Sequence, residues 1–266
     1  MEFRLREAAT PLCRRTNSAT GLVIDYLEAY DPGARAEVAA ATGMGDLPQI
    51  AGVVPGSPAE KAGVKAGDTL VRLNGTPLKQ LIAESADRRL FAEELLDRIA
   101  QLPASEMITL DLRRGDSSIT ATLSPSQSCA TRFVLSDSGG LAHTDGTNVA
   151  IEADLLRHAA NDDELALVAA HELAHIVAGD GKASGLNDRR RMEDRADILG
   201  ADLARCAGYD AVRALDFWKR YNDKDWLRWL RSPSHRNVPE RIRRMHDHLV
   251  ATPSACPPAI PDKATT

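Results

Sequence analysis

The chain has 266 residues, a length that at roughly 100–200 residues per domain allows one large domain or two modest ones. Hydrophobic residues at 43% and charged residues at 27% are ordinary globular usage, which excludes a wholly disordered or fibrous chain. A net charge of −5 argues against nucleic-acid binding driven by bulk charge, and no uninterrupted apolar run reaches the ~18 residues of a membrane span.

Residues 1–19 form an N-terminal segment whose Met1-Glu-Phe-Arg-Leu-Arg-Glu start has no apolar signal-peptide core. The protein is therefore expected in the cytoplasm or, if a leader has been removed, in the periplasm or cell envelope. Residues 20–124 read as short strands punctuated by Gly and Pro. Leu22–Ile24 and Ile50–Val54 are strand-like, and the stretch Glu28–Asp46 between them is long and Ala-rich. Ser57 followed by Pro58 predicts an N-cap with proline in the first helical position, and Gly63 ends that short helix. Thr69–Leu73 is a strand closed by Asn74-Gly75, a hairpin-turn signal. Leu90, Phe91, Leu95, Leu96 and Ile99 recur at helical spacing and predict a helix over 86–101. Met107–Leu112 and Ser118–Leu123 then pair across Arg114-Gly115-Asp116.

Ser124-Pro-Ser-Gln-Ser is a linker. Residues 130–250 are mostly helical, with strands at Phe133–Leu135 and Asn148–Ile151, and the tail 251–266 carries four prolines and is expected to be disordered. Residues 189–244 hold fifteen basic and nine acidic side chains, whose alternating signs read as a solvated helical face. The four cysteines, Cys13, Cys129, Cys206 and Cys256, show no C-x-x-C spacing and permit one or two disulfides; a Cys13–Cys129 bridge would tie the β module's edge to the helical part.

The chemistry lies in the helical part. Asn161-Asp-Asp-Glu164 opens a helix that Gly179 can close, and within it stands His171-Glu172-Leu-Ala-His175. Histidines four apart project from one helical face and can share one tetrahedral metal, while Glu172 beside them can act as general base. A catalytic zinc usually takes a third protein ligand. Glu193, eighteen residues past His175, can supply it, and Asp197 one turn further can accept a hydrogen bond from the free ring nitrogen of a ligand histidine. His143 reads as an exposed loop residue, and His158, His246 and His248 as surface helix residues. No nucleophile triad and no phosphate-binding loop competes with this reading.

The run Val54-Pro-Gly-Ser-Pro-Ala…Gly67-Asp-Thr-Leu-Val-Arg-Leu-Asn-Gly75 resembles a bacterial-type PDZ domain. That resemblance implies that Gly21, Leu22, Val23 and Ile24 form the carboxylate-binding loop and strand for a C-terminal peptide ligand. His171–His175 with Glu193-Asp-Arg-Ala-Asp197 resembles the gluzincin metallopeptidases, most closely the HtpX- and CAAX-prenyl-protease-like family. The resemblance implies one catalytic Zn²⁺ on His171, His175 and Glu193. It also implies His235 as oxyanion donor and Arg241 as support for that wall of the cleft. Arg236 replaces the family's usual proline, and Asp180 stands where many members have histidine. The strand region Ser138–Ile151 falls beside the family's cleft.

The expected fold class is α+β, with a PDZ-like β module followed by a mostly α-helical gluzincin domain carrying a small edge sheet. The expected function is zinc-dependent endopeptidase action on misfolded or unfolded proteins, by a zinc-activated water with Glu172 as base. The PDZ-like module would recruit substrate or gate the cleft. The alternative is a PDZ-led peptide-binding, quality-control protein with a latent or inactive peptidase half. Partners are protein or peptide substrates, without nucleic acid or a transmembrane segment.

Overall fold

The computed structural model describes residues 1–137, 140–224, 236–252 and 256–261. Two compact units emerge: one is Asn17–Ser128, and the other joins Met1–Thr16 to Cys129–Thr266. The β module is thus an insertion in the chain path, and most of the segment 1–19 that the sequence set apart folds with the helical unit.

In chain order the elements begin with α1 (Glu2–Ala9), β1 (Thr16–Ala19), β2 (Leu22–Asp25), α2 (Arg35–Thr42), β3 (Gln49–Val53) and α3 (Pro58–Lys61). There follow β4 (Thr69–Leu73), β5 (Thr76–Pro77), α4 (Leu78–Glu84), α5 (Phe91–Ala100), β6 (Ile108–Arg114) and β7 (Ser117–Leu123). The chain continues through β8 (Ser126–Cys129), β9 (Arg132–Ser136), β10 (Ala142–Thr144), β11 (Asn148–Glu152) and α6 (Ala153–His158). It ends with α7 (Asp162–Ala178), α8 (Leu186–Cys206), α9 (Ala211–Ala214), α10 (Asp216–Lys224) and α11 (Val238–Ala251).

The inserted unit is an antiparallel sheet in the order β2-β3-β4-β6-β7, with β5 on β4. Ser57 caps α3 by accepting from Glu60 N, as the Ser-Pro pair predicted. Asn74 and Gly75 both take left-handed φ, 48° and 80°, the geometry of a two-residue hairpin whose twist matches its strands. β6 buries Ile108, Leu110 and Leu112 in strict alternation. Across the core α5 buries Phe91, Ala92, Leu95 and Ile99, with Tyr26 edge-on to Phe91. The Ala-rich stretch between β2 and β3 forms α2, none of whose residues is buried.

In the helical unit α7 packs against α8, and α1 lies on both, with Leu5 and Ala9 fully buried. Gly200 of α8 sets the approach. A Cβ there would sit 2.8 Å from the backbone N and Cα of His171, closer than backbone can yield. The small sheet runs β10-β11-β9, with β9 parallel and β10 antiparallel to β11. Within the tail 251–266, Cys256 bonds to Cys206, and Pro258 is buried. Cys13 pairs with Cys129, so no cysteine is free. The basic stretch 189–244 is not simply a solvated face either. Arg195 and Arg241 are buried, and Arg213 and Arg220 reach from the surface to the buried carboxylates of Asp163 and Glu164. No helix among the described residues is long and apolar enough to cross a membrane.

Candidate metal centre

α7 starts at Asn161, whose side chain accepts from the backbone N–H of Asp163 and Glu164, and stops at Gly179 with φ 66°. Between these ends the i, i+4 spacing turns His171 and His175 to one side, where α8 presents Glu193. The two Nε2 atoms lie 3.2 Å apart, and Glu193 Oε2 lies 3.3 Å from His171 Nε2 and 3.6 Å from His175 Nε2. A tetrahedral zinc with bonds of about 2.0–2.1 Å has ligand–ligand edges of about 3.3–3.4 Å, so this triangle has the dimensions of three corners of a zinc site. Among the described residues, these are the ones whose donor atoms can converge on one ion. Glu172, half-buried, adjoins His171 on the same helix.

Each histidine's outer nitrogen faces a carboxylate backed by a buried arginine. His175 Nδ1 donates to Asp180 Oδ2 at 2.8 Å, and Asp180 Oδ1 pairs with Arg195. His171 Nδ1 lies 3.1 Å from Asp197 Oδ1, near but off the line of a good hydrogen bond. Arg241 donates to both oxygens of Asp197, and its guanidinium carbon stands 4.4 Å over the Trp218 ring. Burial opposes charge on His171, but Asp197 and Glu193 outweigh it and raise the imidazolium to about 10. His175 is raised likewise, against burial, by Asp180 and Glu193. Burial would raise the Asp197 carboxyl, yet Arg241 holds it well below the usual carboxylate range.

His171, His175, Glu193, Asp197 and Arg241 therefore come together, while His235 lies outside the described residues. Asp194, next to Glu193 in the sequence, is instead bound by Arg236, whose Nε donates at 2.8 Å. Arg241 is engaged with Asp197, a partner that cleft support did not anticipate. Sequence reasoning missed Asp180, Arg195 and Gly200; the Asp180 difference from many relatives was the one available signal. His248 is not a plain surface residue, since its Nε2 bonds Asp202 Oδ2 at 2.8 Å. His143 is exposed and pairs with buried Glu152; His246 is exposed beside Asp247, and exposed His158 meets the Asp154 carbonyl.

In the inserted unit β2 is an edge strand among the described residues. Gly21 has φ 74°, and a Cβ there would lie 2.2 Å from Ser57 Cβ, so only glycine fits. The carbonyls of Thr20 and Gly21 accept from Ala59 N and Val54 N, pinning this loop to α3 and to the residue after β3. Leu22 and Ile24 are buried and Val23 is exposed.

Comparison with known proteins agrees with both halves. A PDZ-domain family model matches residues 49–88, and the model of Peptidase family M48 matches residues 138–188, so the PDZ match precedes the peptidase match in one chain. The latter match includes His171, Glu172 and His175 and ends before Glu193. It points to a metallopeptidase. A protein of Synechocystis sp. named as a serine protease, HhoA, is 33% identical over 86 residues, which are 30% of this chain and 19% of that relative. The chain thus matches about a fifth of that relative's length. Among solved structures, the HtrA3 PDZ domain bound to a phage-derived ligand is similar, at 21% identity and TM-score 0.32, over 42% of this chain and 89% of that one. A PDZ domain protein from Parabacteroides distasonis is similar at 17% identity and TM-score 0.31, over 44% of this chain and 22% of that one.

Proposed function

We propose that the helical unit is a zinc-dependent endopeptidase acting on unfolded or misfolded proteins, and that the inserted PDZ-like unit recruits their C-termini or gates the cleft. The observation that carries this reading is the 3.2, 3.3 and 3.6 Å triangle of His171, His175 and Glu193, sized for a tetrahedral ion, with Glu172 adjoining it. Zinc held by these three residues supplies a Lewis acid that polarises a carbonyl and lowers the pKa of water. Glu172 takes the proton of the attacking water and delivers it to the leaving amine. Asp180 holds the His175 ring with Nδ1 protonated, and Asp197 facing His171 Nδ1 favours the same form there, which leaves both Nε2 atoms free to bind. Arg195 and Arg241 keep those two carboxylates charged and in place. His235 is proposed as oxyanion donor on its family resemblance alone. Four cysteines in two disulfides support an oxidising compartment such as the periplasm.

The test is casein hydrolysis by wild type and Glu172→Gln, with bound zinc measured in both. Cleavage that disappears in the variant while zinc stays bound supports the peptidase and its base. Equal cleavage by both, or none by zinc-loaded wild type, overturns it.

A further inference from the structure

A cavity of about 320 Å³ opens in the helical unit beside the C-terminal end of α7, within the size range of small-ligand sites. Arg14, Arg15, Ile176, Val177, Gly179 and Asp180 line it. The Cys13–Cys129 disulfide and the Gly146–Thr147 turn complete its wall. It shares no residue with the His171, His175 and Glu193 triangle.

The charges in this cavity are unbalanced. Asp180 is the one acid among its lining residues, and its carboxylate is already held by His175 and Arg195. Arg14 and Arg15 are exposed, and neither has a carboxylate partner among the described residues. Arg14 also lies against the end of α7. A Cβ on Gly179 would lie 2.5 Å from Arg14 Nη2, so the bare glycine lets the guanidinium rest on the last turn of α7. The negative end of the helix favours a cation there, and a guanidinium's five N–H groups leave donors for a second partner.

We infer that this cavity binds a carboxylate carried on a short aliphatic stem. The planar guanidinium fork suits a carboxylate, and Ile176 and Val177 offer the stem an apolar wall. The acid can be a peptide's C-terminal carboxylate or an acidic side chain. Because Asp180 also holds His175, occupancy touches a metal-site residue through a single side chain. The inference stands on the cavity itself and does not rest on the peptidase reading.

The test is an NMR titration of the full-length protein, following the Gly179 and Asp180 amide signals. The probes are N-acetyl-leucine, N-acetyl-glutamate α-amide, N-acetyl-leucinamide and inorganic phosphate. Saturable shifts with either carboxylate and none with leucinamide support the site, and the tighter carboxylate identifies the source. The double variant R14A/R15A should weaken that binding about 10–100-fold while leaving zinc affinity unchanged, with partial recovery in R14K/R15K. Equal binding of leucinamide, binding of phosphate alone, unchanged binding in R14A/R15A, or no saturable shift would each overturn it.

Discussion

Arg241 donates two hydrogen bonds to Asp197, at 2.8 and 2.6 Å, with both side chains buried. The pair joins α11 to α8 directly behind His171. Removing Arg241 takes the two-bond partner from a buried carboxylate, a loss of about 3–5 kcal/mol. Arg241→Met should lower stability by that order in denaturant unfolding. Asp197→Asn added to Arg241→Met should recover part of the loss, because the carboxylate that Arg241 neutralised is then gone as well.

Asp180 plays the matching part for His175. Asp180→Asn keeps the shape but removes the charge that fixes the ring and balances Arg195. Zinc affinity should fall about 10–100-fold, read by competition with a chromogenic chelator, with little change in helix content. An unchanged affinity would show that Asp180 does not orient His175.

Gly200 controls how closely α8 approaches α7. A methyl group there meets the His171 backbone at 2.8 Å, and neither helix can absorb it by a rotamer change. Gly200→Ala should cost about 1–3 kcal/mol. It should also weaken zinc binding, since Glu193 rides on the displaced helix.

Metal binding should release protons. In the metal-free protein the His171 imidazolium is raised from 6.5 to about 10, so at neutral pH a proton occupies the ligand set. Calorimetric zinc titration in two buffers of different ionisation enthalpy should show proton release, and affinity should climb as pH rises toward 10. The stability of the metal-free form carries the opposite sign. A raised folded pKa gives a contribution that is complete below about 6.5 and lost as pH rises through about 10.

The inserted unit can be removed only along its own boundaries. Leu5 and Ala9 of α1 lie in the core of the helical unit, so truncating from Met1 through the β module should destabilise what remains. Replacing residues 17–128 with a short flexible linker, with α1 kept, should preserve zinc binding and change cleavage of protein substrates. Unchanged kinetics on those substrates would sink the recruiting or gating role.

Much of this was legible because local rules act through spacing. The His171–His175 interval, the Asn161 cap, the Gly179 stop and the Asn74-Gly75 turn each depend on a few neighbouring residues. Arg195 and Gly200 were opaque for the opposite reason. An arginine in a charged run looks solvated until Asp180, fifteen residues away, is brought beside it. A helical glycine looks like a weak point until another helix's backbone lies against it. The placement of α1 was equally hidden, because an eight-residue helix does not show in sequence which core it joins.

Zinc K-edge absorption on the full-length protein, with metal content measured for wild type and Glu193→Ala, tests the metal centre most directly. One zinc per chain, bound by two imidazoles and oxygen at about 2.0–2.2 Å, with affinity lost in Glu193→Ala, is the predicted result. Sulfur in the coordination sphere, or zinc held equally well without Glu193, would contradict it.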